Sequence, residues 1–86
     1  MDISELKKLL KSENILIGTD RVLKNLRKGL IERIVISSNC SDEVVDEIKH
    51  LASLNKSVVE SLNIPNEELG TLCKKPFSVS VLGFLK

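Results

Sequence analysis

Aromatic residues are nearly missing from this sequence: it has no tryptophan, no tyrosine and two phenylalanines. Its core must therefore be built from aliphatic side chains, and each phenylalanine is conspicuous. There is one histidine, His50, which reads as an interfacial or solvent-facing residue of a helix, and no Ser/His/Asp set accompanies it. Two cysteines, Cys40 and Cys73, fall short of a structural zinc quartet, and Cys73 has no evident base beside it. No apolar run reaches the length of a membrane span, and the opening Met1-Asp2-Ile3-Ser4-Glu5 is acidic and helical in pattern, unlike a signal peptide. The expectation is an intracellular protein that is not an enzyme, with no metal, cofactor or membrane. An intracellular compartment disfavours a structural disulfide, so both cysteines read as small packing residues.

Excess charge is absent too. Thirteen Lys plus Arg against twelve Asp plus Glu leave a net charge of +1 over 86 residues. That is a weak footprint for a nucleic acid, so the distribution has to decide. Basic residues cluster at Lys7-Lys8-Lys11, Arg21-Lys24-Arg27-Lys28 and Lys74-Lys75. Acids concentrate at Asp42-Glu43-Asp46-Glu47, which reads as a solvated helix face, and at Glu67-Glu68.

The length suits one domain spanning 1–86, with a single modest core. Ile3, Leu6, Leu9 and Leu10 recur at helical spacing after Asp2 or Ser4 as cap, giving a helix that ends near Ser12. Ile15-Leu16-Ile17 is a short strand stopped by Gly18. Val22, Leu23 and Leu26 mark a helix closed by Gly29. Ile34-Val35-Ile36 reads as a buried strand, and 42–54 as a helix with Val44, Val45, Ile48, Leu51 and Ala52 on one face. Val58-Val59 is a third strand. Asn66, after Pro65, is expected to cap a helix whose first turn carries Glu67 and Glu68. Val79, Val81 and the residues 82–85 form the closing strand. The alternation predicts an α/β fold, a three-layer α/β/α sandwich.

Ligands of such sheets gather where strands feed into helices. At Ile17-Gly18-Thr19-Asp20-Arg21-Val22-Leu23-Lys24, Gly18 lets the chain turn sharply, and Thr19 or Asp20 can cap the helix. The free N–H groups of its first turn attract anions, and Lys24 and Lys28 share a face that would extend the site. A plain capped helix with solvated cations explains the same residues. A second candidate is Glu68-Leu69-Gly70-Thr71-Leu72-Cys73-Lys74-Lys75-Pro76-Phe77-Ser78-Val79: a short helix, a basic turn, an aromatic and a strand. On residue type alone, Phe77 either packs inward at the start of the strand or offers its ring to a splayed nucleotide.

Three blocks together resemble a known family: residues 18–29, then Ile34-Val35-Ile36-Ser37-Ser38-Asn39-Cys40, then the Glu68-Leu69-Gly70-Thr71 block running to Phe77-Ser78-Val79. In order and spacing the chain resembles the L-seven-Ae superfamily of kink-turn RNA-binding ribosomal proteins, and within it the archaeal and eukaryal L-thirty-e branch. The resemblance implies a cytoplasmic RNA-binding component of the large ribosomal subunit that recognises a kink-turn in rRNA and is monomeric when free, with other ribosomal proteins as neighbours. It also implies a four-stranded mixed sheet between helices, and an RNA surface made of three loops: Gly18, Thr19, Asp20, Arg21 and Lys24 with Lys28 beyond; Ser38, Asn39 and Cys40; and Leu72, Lys74, Lys75 and Phe77. The cations would then gather at one end of the sandwich, Asn39 would offer a donor and an acceptor to a base edge, and Phe77 would stack on an extruded base. One departure is Asp20, where the family usually has Lys or Asn. A carboxylate accepts hydrogen bonds but donates none, so it either accepts from guanine N1 or N2 or only caps the helix. Two other roles suit the same fold: a kink-turn binder in a small ribonucleoprotein outside the ribosome, and a protein-interaction module using the acidic 42–47 face.

Overall fold

Strands with apolar residues at every position need cover on both faces, and that demand organises the chain. In the computed structural model, which describes residues 3–11 and 14–86, eight elements alternate. They are α1 (Ile3–Leu9), β1 (Ile15–Ile17), α2 (Thr19–Arg27), β2 (Ile31–Ile36), α3 (Asp42–Asn55), β3 (Val58–Ser61), α4 (Asn66–Leu72) and β4 (Val81–Leu85). One sheet has the order β1-β4-β2-β3. Its β2–β3 pair is parallel and its two pairs with β4 are antiparallel, so the sheet is mixed, as expected.

Side chains along each strand point alternately to the two faces. On β2, Ile34 and Ile36 join Val22, Leu23 and Leu26 of α2 and Ile48 and Ala52 of α3 in one cluster. Val35 lies in the other, with Leu6 of α1, Leu69 of α4, and Leu82 and Phe84 of β4. Ile34 and Val35 are wholly buried and Ile36 is 2% exposed. Helices cover both faces, which makes the three-layer sandwich. Gly83 has its absent side chain turned toward α2, where an added Cβ would meet Val22 at 3.1 Å and Ile31 at 3.2 Å. That lets α2 sit close on the sheet.

Several local boundaries differ from the expectations. The strand β2 starts at Ile31, three residues before the apolar run, with a register irregularity against β4 between Ile31 and Arg33. Its early residues alternate in burial, so they hid from a search for continuous apolar sequence. Val79 is buried but precedes β4, bonding through its N–H to the carbonyl of Asn66. Ser4 lies inside α1 rather than before it, and α1 ends at Leu9; the alternatives at Asp2 and Ser12 fall outside the described residues. Neither Thr19 nor Asp20 caps α2. Gly18 is the N-cap, at φ 111, and no side chain bonds there. Pro65, not Asn66, stands at the N-cap of α4, and Asn66 is its first helical residue.

Gly29 closes α2 as the sequence predicts. At φ 74 it brings its N–H to the carbonyl of Leu26 at 3.0 Å while the N–H of Leu30 reaches that of Asn25 at 3.1 Å. This is a Schellman closure, which satisfies two of the orphan carbonyls of the last turn. The amide of Asn55, at the end of α3, donates to the same Leu26 carbonyl at 2.8 Å and couples the two helices.

Leu26 is wholly buried in the α2–α3–sheet cluster. Leu26→Ala should therefore lower the unfolding free energy by about 2–5 kcal/mol. In urea titration the midpoint should fall while the slope stays constant.

Candidate nucleic-acid interface

The C-terminal ends of β1 and β2 and the start of β4 lie together because β4 runs antiparallel between its neighbours. Backbone bonds fasten the loops there to one another. The Gly18 N–H donates to the Val81 carbonyl at 3.2 Å, and the Ser37 N–H to the Ser80 carbonyl at 2.9 Å. The first and second candidate loops are thus tied to successive residues, Val81 at the start of β4 and Ser80 just before it.

The third loop is tied through Asn39 and Asn66. Asn39 Oδ1 accepts from the Asn66 backbone N–H at 2.8 Å and from the Ser37 hydroxyl at 3.2 Å. Asn39 Nδ2 donates to Asn66 Oδ1 at 3.2 Å, and Asn66 Nδ2 to the Ser80 hydroxyl at 3.3 Å. Asn39 therefore satisfies an N–H of the first turn of α4, a capping duty served across the fold from another loop. Its side chain is exposed yet already engaged: both Oδ1 lone pairs are taken, leaving one Nδ2 hydrogen for a ligand. Sequence reasoning offered Asn39 a base edge and missed this bracing role, because Asn66 is 27 positions away.

Gly70 governs the approach of the third loop. A Cβ built there would stand 2.1 Å from the carbonyl oxygen of Phe77 and 3.2 Å from the Cα of Ser78. The backbone around Phe77 thus lies directly on α4, in space that any side chain at 70 would fill. A glycine inside a helix costs up to about 1 kcal/mol relative to alanine, so its presence signals a packing reason. That signal was legible in the sequence, although the partner was not.

The helix then ends on strained backbone. Lys74 adopts φ 58, the left-handed region, with its N–H on the Thr71 carbonyl and the Lys75 N–H on that of Gly70, both at 3.0 Å. This is the same closure that Gly29 makes for α2, but made by a lysine. A residue with a Cβ pays on the order of 1 kcal/mol for that conformation. The turn aims Lys74 and Lys75 outward, and beyond Pro76 the Phe77 ring is 56% exposed. Of the two readings of Phe77, the exposed ring is the one observed. Leu72, half-buried, packs against the α1–α4 cluster and supports the turn from beneath.

Around the first loop, Asp20, Arg21 and Lys24 are exposed on α2, and Gly18 and Thr19 are partly buried. Asp20 makes no capping bond; in the first turn it sits where the helix dipole favours an anion. Lys28 is not part of the gathering. It is the C-cap residue of α2, ten positions and so about 15 Å of helix rise from Gly18, at the opposite end of the sandwich. Arg27 is engaged by Glu47 of α3 at 2.6 Å, a surface ion pair worth no more than about 1 kcal/mol. The acids Asp42, Glu43, Asp46 and Glu47 are exposed along α3, as a solvated face should be, and so is His50.

Cys40 and Cys73 are free thiols, partly buried. Burial pushes both thiols up from their ordinary pKa; a backbone bond involving Ser41 offsets this for Cys40, and the Lys75 charge offsets it for Cys73. Both are thiols at neutral pH and poor nucleophiles. Among the described residues no group of three His, Cys, Asp or Glu could hold a metal ion, and no helix is long and apolar enough to cross a membrane.

These features define a single α/β sandwich presenting three braced loops at one end, two of them basic. The chain belongs to the ribosomal protein L7Ae/L30e/S12e/Gadd45 family, whose sequence model matches residues 3–86. It is 37% identical over 81 residues to the large ribosomal subunit protein eL30 of Sulfolobus acidocaldarius, covering 94% of this chain and 78% of that protein. With eL30 of Archaeoglobus fulgidus it shares 38% identity over 77 residues, covering 90% and 85%. A solved structure of a Bacillus halodurans protein of unknown function superposes with a TM-score of 0.82 at 18% identity, covering 96% of this chain and 82% of that one. That last likeness concerns the fold. The resemblance drawn from the three motif blocks is borne out at the level of the family.

Since position 70 has no room for a side chain, Gly70→Ala should displace the 75–79 backbone from α4. The variant should melt at a lower temperature than the parent, and limited trypsin digestion should cut first after Lys74.

Proposed function

We propose that this chain is a cytoplasmic, non-enzymatic RNA-binding component of the large ribosomal subunit and that it recognises a kink-turn in rRNA. Family membership and the eL30 relatives support the ribosomal assignment. The observation that supports RNA recognition is the exposed Phe77 side chain beside Lys74 and Lys75, on a backbone packed against Gly70. A kink-turn exposes unpaired bases and purine edges that a regular A-form groove hides, and a fixed aromatic face suits an extruded base. Because the Phe77 backbone is already packed on α4, little backbone freedom is lost on binding. Arg21 and Lys24 supply cations at the first loop, where Gly18 permits close backbone approach to phosphate. In this reading Asn39 chiefly braces the loops, and Asp20 either accepts from guanine or only complements the helix dipole.

The test is a titration of the protein with a kink-turn RNA and with the same RNA after its sheared G·A pairs are replaced by Watson–Crick pairs. A preference for the kink-turn of at least about tenfold, or 1.4 kcal/mol, is expected; equal affinity would remove kink-turn recognition. Phe77→Ala should cost about 1–3 kcal/mol of binding with only a small loss of thermal stability. The reverse pattern would return the ring to a structural role. Lys74→Gly should leave stability unchanged or raise it, by relieving the left-handed strain, yet weaken RNA binding and flatten its dependence on log salt by up to about one unit. Asp46→Lys, on the acidic face, should leave specific binding nearly unchanged. If that variant were the more sensitive one, a protein partner would be the better reading.

A further inference from the structure

The cations Lys7 and Lys11 belong to none of the three loops, yet the fold brings them to the same place. A groove of about 640 Å³ opens between the C-terminal part of α1 and the turn that follows α4. Lys7 and Lys11 form one bank and Lys74 and Lys75 the other. Its floor is apolar: Ile15 and Ile17 of β1, Leu10, Leu72 and Cys73. No acidic side chain is among its described lining residues, and among the described residues none of the four lysines is ion-paired. All four are exposed.

Two continuities join this groove to the proposed interface. Ile17, in its floor, immediately precedes Gly18 of the first loop. Thr71 and Lys75 are shared with a shallower groove of about 280 Å³ that holds Pro76 and Phe77. The groove therefore lies between the first and third loops, and a strand engaging both would pass along it.

We propose that this groove holds a phosphodiester strand flanking the recognised RNA element, with Lys7 and Lys11 as phosphate contacts outside the three loops. The inference rests on the RNA-binding reading of the preceding subsection. A double row of cations about an apolar floor matches a nucleic-acid strand, whose phosphates are charged and whose ribose and base faces are not. The groove's size lies within the span of well-formed ligand pockets, enough to seat a nucleotide. Lys7 lies on α1 and Lys11 two residues past its end, where the Lys11 N–H turns back onto the Lys8 carbonyl, and both side chains line the groove. The position of α1 also gives a near-neutral chain a third basic segment on the binding side.

The probe is a kink-turn RNA with base-paired flanking stems, titrated over a series of salt concentrations with the full chain and with a Lys7→Gln/Lys11→Gln variant. Glutamine keeps most of the side-chain stem, and both sites are exposed, so thermal melting should match the parent. The double variant should lose roughly 1.4–1.8 units of log–log salt slope, for two lost phosphate contacts. A control variant, Lys49→Gln/Lys56→Gln, on α3 and just after it, should keep the parental slope. An unchanged slope in the Lys7/Lys11 variant, or an equal fall in the control, overturns the proposal while leaving kink-turn recognition intact. A parent that binds no RNA overturns both readings. If the Lys7/Lys11 variant binds RNA normally but loses affinity for polyglutamate, the groove serves an acidic protein segment and the RNA assignment is wrong.

Discussion

The structure depends on placing its last strand in the interior of the sheet. β4 lies between β1 and β2, so neither of those strands is complete until residues 81–85 have arrived. The pairing is long-range: Ile15 opposes Phe84 and Ile31 opposes Leu85. Such contacts require large loops to close before they contribute stability, so the fold forms cooperatively rather than by accretion. The same insertion assembles the candidate interface. Gly18 donates to Val81, the first residue of β4, and Ser37 to Ser80 just before it, so the loops they open are fixed relative to one another at the entry to that strand.

Bracing continues from there by polar contact and by the absence of a side chain. Asn39 and Asn66 link the second loop to α4, and Gly70 lets the third loop lie on that helix. The outcome is a rigid support under an exposed ring. Preorganisation matters most where net charge is small, because a chain of charge +1 has little long-range field with which to gather an anionic partner. Local arrangement has to supply what total charge does not. Arg27 is engaged by Glu47 and Lys28 lies at the far end, so fewer cations gather at the candidate interface than the sequence clusters suggest.

Much of the fold was legible because its strands are short aliphatic runs and its helices carry separable apolar and charged faces. Helix ends were less so. Asn66 looked like a cap by residue type, but Pro65 holds the cap position and the Asn66 amide is committed to Asn39 and Ser80. The first three residues of β2 escaped notice because only Ile31 among them is fully buried. Of the candidate interface, the turn from Lys74 to Phe77 could be read from its composition and from the family's motif order. The separation of Lys28 from the other cations could be inferred only with the helix oriented on the sheet.

Local sequence determined which segments form strands or helices, which faces are apolar, and that a basic turn precedes Phe77. These follow from interactions within a few residues: periodicity, dipole and turn chemistry. Tertiary structure alone decided that the ring stays exposed, that Asn39 braces rather than stands free, and that α1 contributes lysines to the same side. Each of these depends on the closed fold: the hydrogen bond of residue 66 to 39, the backbone of residue 77 lying on 70, and residues 7 and 75 lining one groove. Local preferences cannot encode such separations, because only the closed sheet sets the distances between them.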